Sequence, residues 1–217
     1  MIVDERVSDY IKSLAAYNSD FLEELREKAL QEKVPIIKRE TESFLRTLLI
    51  MKKPAKILEV GTAVAYSSLF MAEILDGKTE ISTIENYEKR VFEARKNIAN
   101  SAYSNIINLI EEDASKVLKE LVEEGKKYDF IFMDAAKGQY INWLEFVVKL
   151  LDKEGVLCSD NVLQGGDIVQ SRYLIERRGR SIHSRLREYL YELTHRKDLS
   201  TTILSLGDGV ALTVLKE

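Results

Sequence analysis

"KILEVGTAVAYSSLFMAEIL", Lys56–Leu75, changes character twice within one short stretch. Lys56–Val60 is a β-rich apolar run, Gly61 breaks it, and from about Tyr66 to Leu75 the residues read as a helix. A strand that hands over to a helix through a glycine is half of a βαβ unit. The same handover recurs downstream. "EISTIE" (80–85) precedes a charged helix over about 87–101, and "IINLIEED" (106–113) precedes one over about 114–124. "YDFIFMD" (128–134) precedes one over about 139–151, and "GVLCSD" (155–160) follows. Alternation of this kind predicts a parallel sheet covered on both faces, and the near-continuous apolar strands agree. A long polar helical region comes next, about 166–197. "STTILSLGDGVALTVLKE" then places two β runs around Gly207-Asp208-Gly209, a hairpin signal. Five strands of βα type plus the hairpin make a seven-stranded α/β sheet, mostly parallel, with a C-terminal antiparallel pair.

Upstream of Pro54 the pattern is helical. Val7, Ile11 and Leu14, then Phe21, Leu22, Leu25 and Leu30, follow near-3.6 spacing. "VPIIKRETESFLRTLLIM" (34–51) breaks at Pro35 and resumes as a helix that buries Phe44, Leu45, Leu48 and Leu49. The expected organisation is one domain over 1–217, with a helical N-terminal extension (1–52) and an α/β core (53–217). A length of 217 residues suits one domain with a full core.

Composition narrows the function classes. No apolar run approaches the ~18–20 residues that a membrane span needs. "MIVDERVSDY" does not resemble a secretory signal, so a cytoplasmic protein is expected. The lone Cys158 excludes a disulfide framework and a cysteine-based metal site. With His183 and His195 as the sole histidines, any metal here must rely on oxygen ligands. The net charge of −4 hides a local excess: six arginines lie between Arg172 and Arg187 against one acid, Glu176. That stretch reads either as a solvated helix face or as a contact for an anionic partner.

Open α/β sheets bind ligands beyond the C-terminal ends of their strands. Acids cluster at those ends here. Gly61 permits a tight turn with close backbone approach to a ligand, and Ser67 and Ser68 offer hydroxyls in the first helical turn. G-x-G-x-x-G is absent, which disfavours a nicotinamide dehydrogenase. Glu85, at the tip of the second strand, is suited to accept from ribose hydroxyls. Asp113, followed by Ala114, could accept from an exocyclic amine or cap the next helix. Asp134 closes the fourth run with Lys137 three residues on, and Asp160-Asn161 closes the fifth.

In this order, "EVGT…YSS", "IE", "DA", "MDAAKGQY" and "DNV" resemble the S-adenosylmethionine-dependent, metal-dependent O-methyltransferases, the group of the catechol and caffeoyl-CoA O-methyltransferases. The resemblance runs from Val34 to Gly207. "VPI", "TIE", "DAAKGQY", "DNVL", the arginine-rich stretch and the final "GDG" look closest to the bacterial tRNA 5-hydroxyuridine methyltransferases. Two positions depart from the pattern. Ala65 stands where the family usually has glycine, and "LQGG" follows "DNV" where a bulkier residue is common.

The resemblance implies a Rossmann-like methyltransferase fold with S-adenosylmethionine and Mg²⁺ as cofactors. It implies cofactor contacts from Ile37, Glu59, Gly61, Ser67, Glu85, Asp113, Ala114 and Asp134. It implies metal ligation by Asp134, Asp160 and Asn161, and a catalytic role for Lys137 with Asp134. Two carboxylates and an amide oxygen are a hard donor set of charge −2, which independently suits Mg²⁺. Intact Asp134, Lys137, Asp160 and Asn161 argue against a scaffold that binds without catalysing. The substrate must then present two adjacent oxygens, as 5-hydroxyuridine and catechol both do. The arginines suit phosphates along an RNA stem. They tilt the expectation toward methylation of 5-hydroxyuridine at the tRNA wobble position, with a small catechol-like or caffeoyl-CoA-like phenol as the alternative. Relatives in this family are often dimers, so a homodimer is expected.

Overall fold

The computed structural model describes residues 4–216; residues 1–3 of the expected N-terminal extension and residue 217 lie outside them. Three helices come first: α1 (Glu5–Ser13), α2 (Asp20–Gln31) and α3 (Arg39–Lys52). The alternating core follows as β1 (Lys56–Val60), α4 (Tyr66–Ile74), β2 (Glu80–Ile84), α5 (Glu88–Ala99), β3 (Ile107–Ile110), α6 (Ala114–Glu123), β4 (Tyr128–Met133), α7 (Tyr140–Leu150) and β5 (Leu151–Asp160). It closes with α8 (Arg180–His195), β6 (Leu199–Leu204) and β7 (Val210–Leu215). The seven strands form one sheet in the order β3-β2-β1-β4-β5-β7-β6. β1 through β5 pair in parallel, and β7 inserts antiparallel between β5 and β6.

Strand alternation divides the core in two. Ile57, Phe130, Phe132 and Cys158 face α2, α3 and α4, packing with Leu22, Leu45, Leu49 and Phe70. Leu58, Ile131, Met133 and Leu157 face α6, α7 and α8, packing with Leu118, Trp143, Leu144 and Tyr189. Both faces are covered, so both registers of each strand had to be apolar. The order reverses between β1 and β4, and their C-terminal ends open a crevice there.

Three expectations are corrected. The helix expected over 166–197 is helical only from Arg180; before it run three short 3₁₀ turns over Gln164–Val169, Arg172–Leu174 and Arg177–Gly179. Gly165 and Gly166 take φ of +62° and +104°, which no α-helix can contain, and the Ser171 side chain caps a turn of its own. The helical spacing of Val7, Ile11 and Leu14 does form α1, with these side chains 48%, 42% and 66% exposed. Helical periodicity shows a stripe without showing what covers it. Phe21 and Leu30 of α2 are likewise exposed, whereas Leu22 and Leu25 are buried; of the four α3 residues expected to be buried, Leu45 and Leu49 are, but Phe44 and Leu48 are only half-buried, at the edge of the stripe. Finally, β5 begins at Leu151, earlier than expected, through an irregular register opposite Tyr128–Phe130.

Candidate active site

The site begins where β1 and β4 leave the sheet side by side. Gly61 has φ +102°, and a Cβ on it would lie 2.2 Å from the Asp134 carbonyl oxygen. Only glycine lets the two exits touch. The Asp134 N–H donates to the Val60 carbonyl at 3.0 Å, and the Gly61 N–H donates to that of Ile84 at 3.1 Å. Ala65, just before α4, takes φ +65° and ψ +22°. The loop thus keeps the left-handed shape that glycine would give, at a strain of roughly 1–2 kcal/mol.

Under this loop lies Glu59, fully buried. It accepts hydrogen bonds from the hydroxyls of Ser67, Ser68 and Thr83. Burial pushes its carboxyl up to about 7, although the three hydroxyls pull the other way and nearby Asp134 adds to the rise. Glu59 lines neither cavity of the crevice; it fixes the first turn of α4 instead.

The crevice holds two cavities joined at Gly61, Ala63, Asp134 and Ala135. The smaller, about 360 Å³, is lined by Glu85, Asp113, Ala114 and Trp143 among others. Glu85 is held by backbone donors: the N–H of Ala63 at 2.9 Å and those of Asn86 and Tyr87 at 3.0 Å. Asp113 does cap α6, accepting from the Ser115 N–H at 2.9 Å, and still borders the cavity. Trp143 donates its indole N–H to the Ser115 hydroxyl at 2.9 Å. The larger cavity, about 600 Å³, is lined by Ile36, Ile37, Lys38, Tyr66, Ser67, Lys137, Asn161 and Asp208.

The wall at Ile37 is clamped from behind. Arg26 donates to the Ile37 carbonyl at 3.2 Å and to Glu42 Oε2 at 2.9 Å. The Tyr66 hydroxyl donates to the same Glu42 oxygen at 2.8 Å.

At the junction the acids converge. Lys137 Nζ donates to Asp134 Oδ1 at 2.6 Å and to Tyr140 Oη at 3.2 Å. The Tyr140 hydroxyl donates to the Met133 carbonyl at 2.8 Å and lies 3.3 Å from that of Asp160, so it ties the ends of β4 and β5 together. Asp160 is 1% exposed. Burial, and next the charge of Asp134, push its carboxyl up to about 7, with Lys137 opposing. Asn161 follows with φ +58°, a conformation that asparagine tolerates better than most residues.

Among the described residues, no three His, Cys, Asp or Glu side chains group as a metal site. The donor set at hand is two carboxylates and an amide. A buried carboxylate raised by its neighbour's charge lacks positive charge, and this oxygen set fits a hard divalent cation.

The structure therefore brings Ile37, Gly61, Ser67, Asp134, Lys137 and Asn161 to one crevice with Glu85, Asp113 and Ala114, while Asp160 lines neither cavity and is joined to the site through Tyr140 and the Asn161 N–H. Sequence reasoning missed Lys38, Trp143 and Asp208 as lining residues and Tyr140 as the tie. The "GDG" around Asp208 was legible as a turn, but nothing local signalled that the turn folds over Asn161. Of the arginines, Arg185 donates to the Gly138 carbonyl at 3.3 Å, beside Lys137. Arg180 instead braces the preceding turns through the carbonyls of Ile175 and Tyr173. Arg172, Arg177, Arg178 and Arg187 are exposed.

Comparison with known proteins agrees with this geometry. The O-methyltransferase family model matches residues 12–216. A catechol O-methyltransferase from Niastella koreensis is 29% identical over 168 residues, which cover 76% of each chain. A flavonoid 3',5'-methyltransferase from Vitis vinifera is 29% identical, with 96% of this chain and 93% of that protein covered. Among solved structures, the SAH-bound methyltransferase PaMTH1 from Podospora anserina superposes with a TM-score of 0.87 at 26% identity, covering 98% of this chain and 95% of its own. Strand order, crevice and family match agree, and the chain belongs to the O-methyltransferase family, as an S-adenosylmethionine-dependent enzyme of the catechol/caffeoyl-CoA type.

Proposed function

We propose that the enzyme methylates one hydroxyl of a vicinal pair on a small catechol-like or caffeoyl-CoA-like phenol, with Mg²⁺ held by Asp134, Asp160 and Asn161. The observation that carries this reading is Asp134, shared by both cavities, paired with Lys137 and near enough to buried Asp160 for its charge to raise that carboxyl. In this reading the smaller cavity takes the nucleoside of S-adenosylmethionine. Glu85 accepts from the ribose hydroxyls, and Asp113 and Ala114 flank the adenine beside Trp143. The methionine end passes Gly61 toward Ser67 and Ile37, while Glu59 acts only through the serines it holds. The larger cavity takes the acceptor.

When bound, the cation supplies Lewis acidity to the acceptor hydroxyl. Lys137 Nζ is placed to accept or steer the hydroxyl proton. The acceptor oxygen forms its bond to the methyl carbon as the sulfur–methyl bond breaks, so no covalent enzyme intermediate is needed. Tyr140 keeps the ends of β4 and β5 from spreading, and positioning dominates the rate gain. The test is incubation of the enzyme with labelled S-adenosylmethionine, Mg²⁺ and either catechol or caffeoyl-CoA, with and without EDTA, followed by product mass spectrometry. A monomethylated phenol that disappears with EDTA is expected. Equal turnover in EDTA would remove the metal from the mechanism.

One observation favours a second reading, tRNA 5-hydroxyuridine as acceptor: the arginine-rich segment packs against the catalytic loop through Arg185 and Gly138. Undermodified tRNA belongs in the same assay, and labelled 5-methoxyuridine with inert phenols would reverse the ranking. We further propose a cytoplasmic homodimer; a monomer at micromolar concentration in sedimentation velocity would rule out the dimer.

A further inference from the structure

The turn between β6 and β7 reaches back over the acidic junction. Its sequence, Gly207-Asp208-Gly209, is shaped for that approach. Gly209 has φ +91°, and a Cβ there would lie 2.3 Å from Leu163 Cγ. Gly207 has φ +56°, and a Cβ there would lie 2.7 Å from the Thr41 hydroxyl oxygen. The turn is therefore pressed between the residues after Asn161 and the start of α3. Main-chain bonds fasten it: the Val162 N–H donates to the Gly209 carbonyl at 3.0 Å, and the Leu163 N–H donates to that of Asp208 at 2.9 Å. A hairpin needs no such contacts to turn. They hold Asp208 in register with Asn161.

The Asp208 carboxylate is divided between two partners. Lys38 Nζ donates to Oδ1 at 2.7 Å, and Asn161 Nδ2 faces Oδ2 at 3.4 Å. A carboxylate has no proton to give, so it repels an amide oxygen and attracts an amide NH₂. With the NH₂ turned toward Asp208, the Asn161 Oδ1 points to the other side of the planar amide. Both Asp208 oxygens are engaged, which marks it as a neighbour of the donor set and not a member of it.

We propose that Asp208 is a positioning residue: its carboxylate selects the amide orientation in which Asn161 offers oxygen to a cation, and Lys38 holds the carboxylate in place. This inference rests on the hard-cation reading above. It also gives the "GDG" turn a task that pairing β6 with β7 does not require. Partners of this kind, behind the ligand itself, typically change metal affinity by about 10–100-fold.

The experiment is Mn²⁺ titration of the full chain followed by electron paramagnetic resonance of the free ion, with no acceptor and no turnover. Asp208→Ala is expected to weaken Mn²⁺ binding by about 10–100-fold. Asp208→Asn keeps a side-chain oxygen that can accept from Asn161 and should lose far less. Thermal melts without metal check that both variants fold. Equal losses in the two variants would mean that Asp208 acts only through its charge, and would overturn the orientation role. Unchanged binding in both would overturn it as well. Absence of Mn²⁺ binding by the unmodified enzyme is a different failure. It would remove the hard-cation reading itself, and this inference with it.

Discussion

Gly61 and Ala65 sit in one loop and answer to different constraints. Gly61 cannot carry a side chain because the Asp134 carbonyl occupies its place. Gly61→Ala is therefore expected to cost roughly 3 kcal/mol or more in urea unfolding, through forced separation of β1 and β4. Ala65 has room but an unfavourable φ. Ala65→Gly should leave stability equal or raise it by up to about 1 kcal/mol, measured the same way. Lys137→Ala should bind S-adenosylmethionine nearly as well by calorimetry while methyl transfer falls about 10²–10⁴-fold. Unchanged turnover would take Lys137 out of the chemistry. Glu59 yields a pH prediction. Its folded carboxyl titrates near 7 against an ordinary 4.5, so the folded state holds the proton more tightly. Its contribution to stability is full below pH 4.5 and is lost as pH rises through 7. Glu59→Gln should flatten the fall in melting temperature over that window. Most of these residues could be found in the sequence because each sits at a strand tip, where type and position coincide. Lys38 and Asp208 could not, since they meet across 170 positions.

Helices α2 and α3 do more than cover the sheet. Arg26 and Glu42 are 8% and 3% exposed, and through the Ile37 carbonyl and the Tyr66 hydroxyl they set the wall of the larger cavity. Glu42 also pairs with Arg39 at 2.8 Å, so loss of Arg26 leaves Glu42 one cation. That loss costs less than the about 3–5 kcal/mol of a fully broken buried pair, but it releases the Ile37 carbonyl. Arg26→Met should therefore lower the melting temperature and weaken S-adenosylmethionine binding together. Loss of stability with cofactor affinity intact would separate the clamp from the site. The elements of the core were legible because periodicity and turn residues agreed from β1 through β7. The segment before α8 was not. Its polar residues look helical by composition, but Gly165 and Gly166 override them with backbone angles that composition does not display. The stripe of α1 was legible as a helix but its exposure was not, because spacing reports a face and not its partner.

At the scale of the whole molecule, a net charge of −4 coexists with an arginine-rich segment that reaches Gly138, next to Lys137, through Arg185. A neutral phenol makes no phosphate contacts. Its turnover should therefore change little between about 50 and 200 mM salt, the range over which phosphate-dependent binding falls by about 10³–10⁵ when six or more contacts are made. Steep salt dependence of kcat/KM for the preferred acceptor would identify that acceptor as polyanionic. The sheet order was only partly legible, because pattern gives the number of strands and not that the last one threads inside. That threading sets a schedule for synthesis. The lining of the smaller cavity is complete by Trp143, but β7 must pair with β5, bringing β6 with it, before the turn at Asp208 can settle over Asn161. A nascent chain halted short of Val210 would have the lining of the smaller cavity and an open seam beside Asn161.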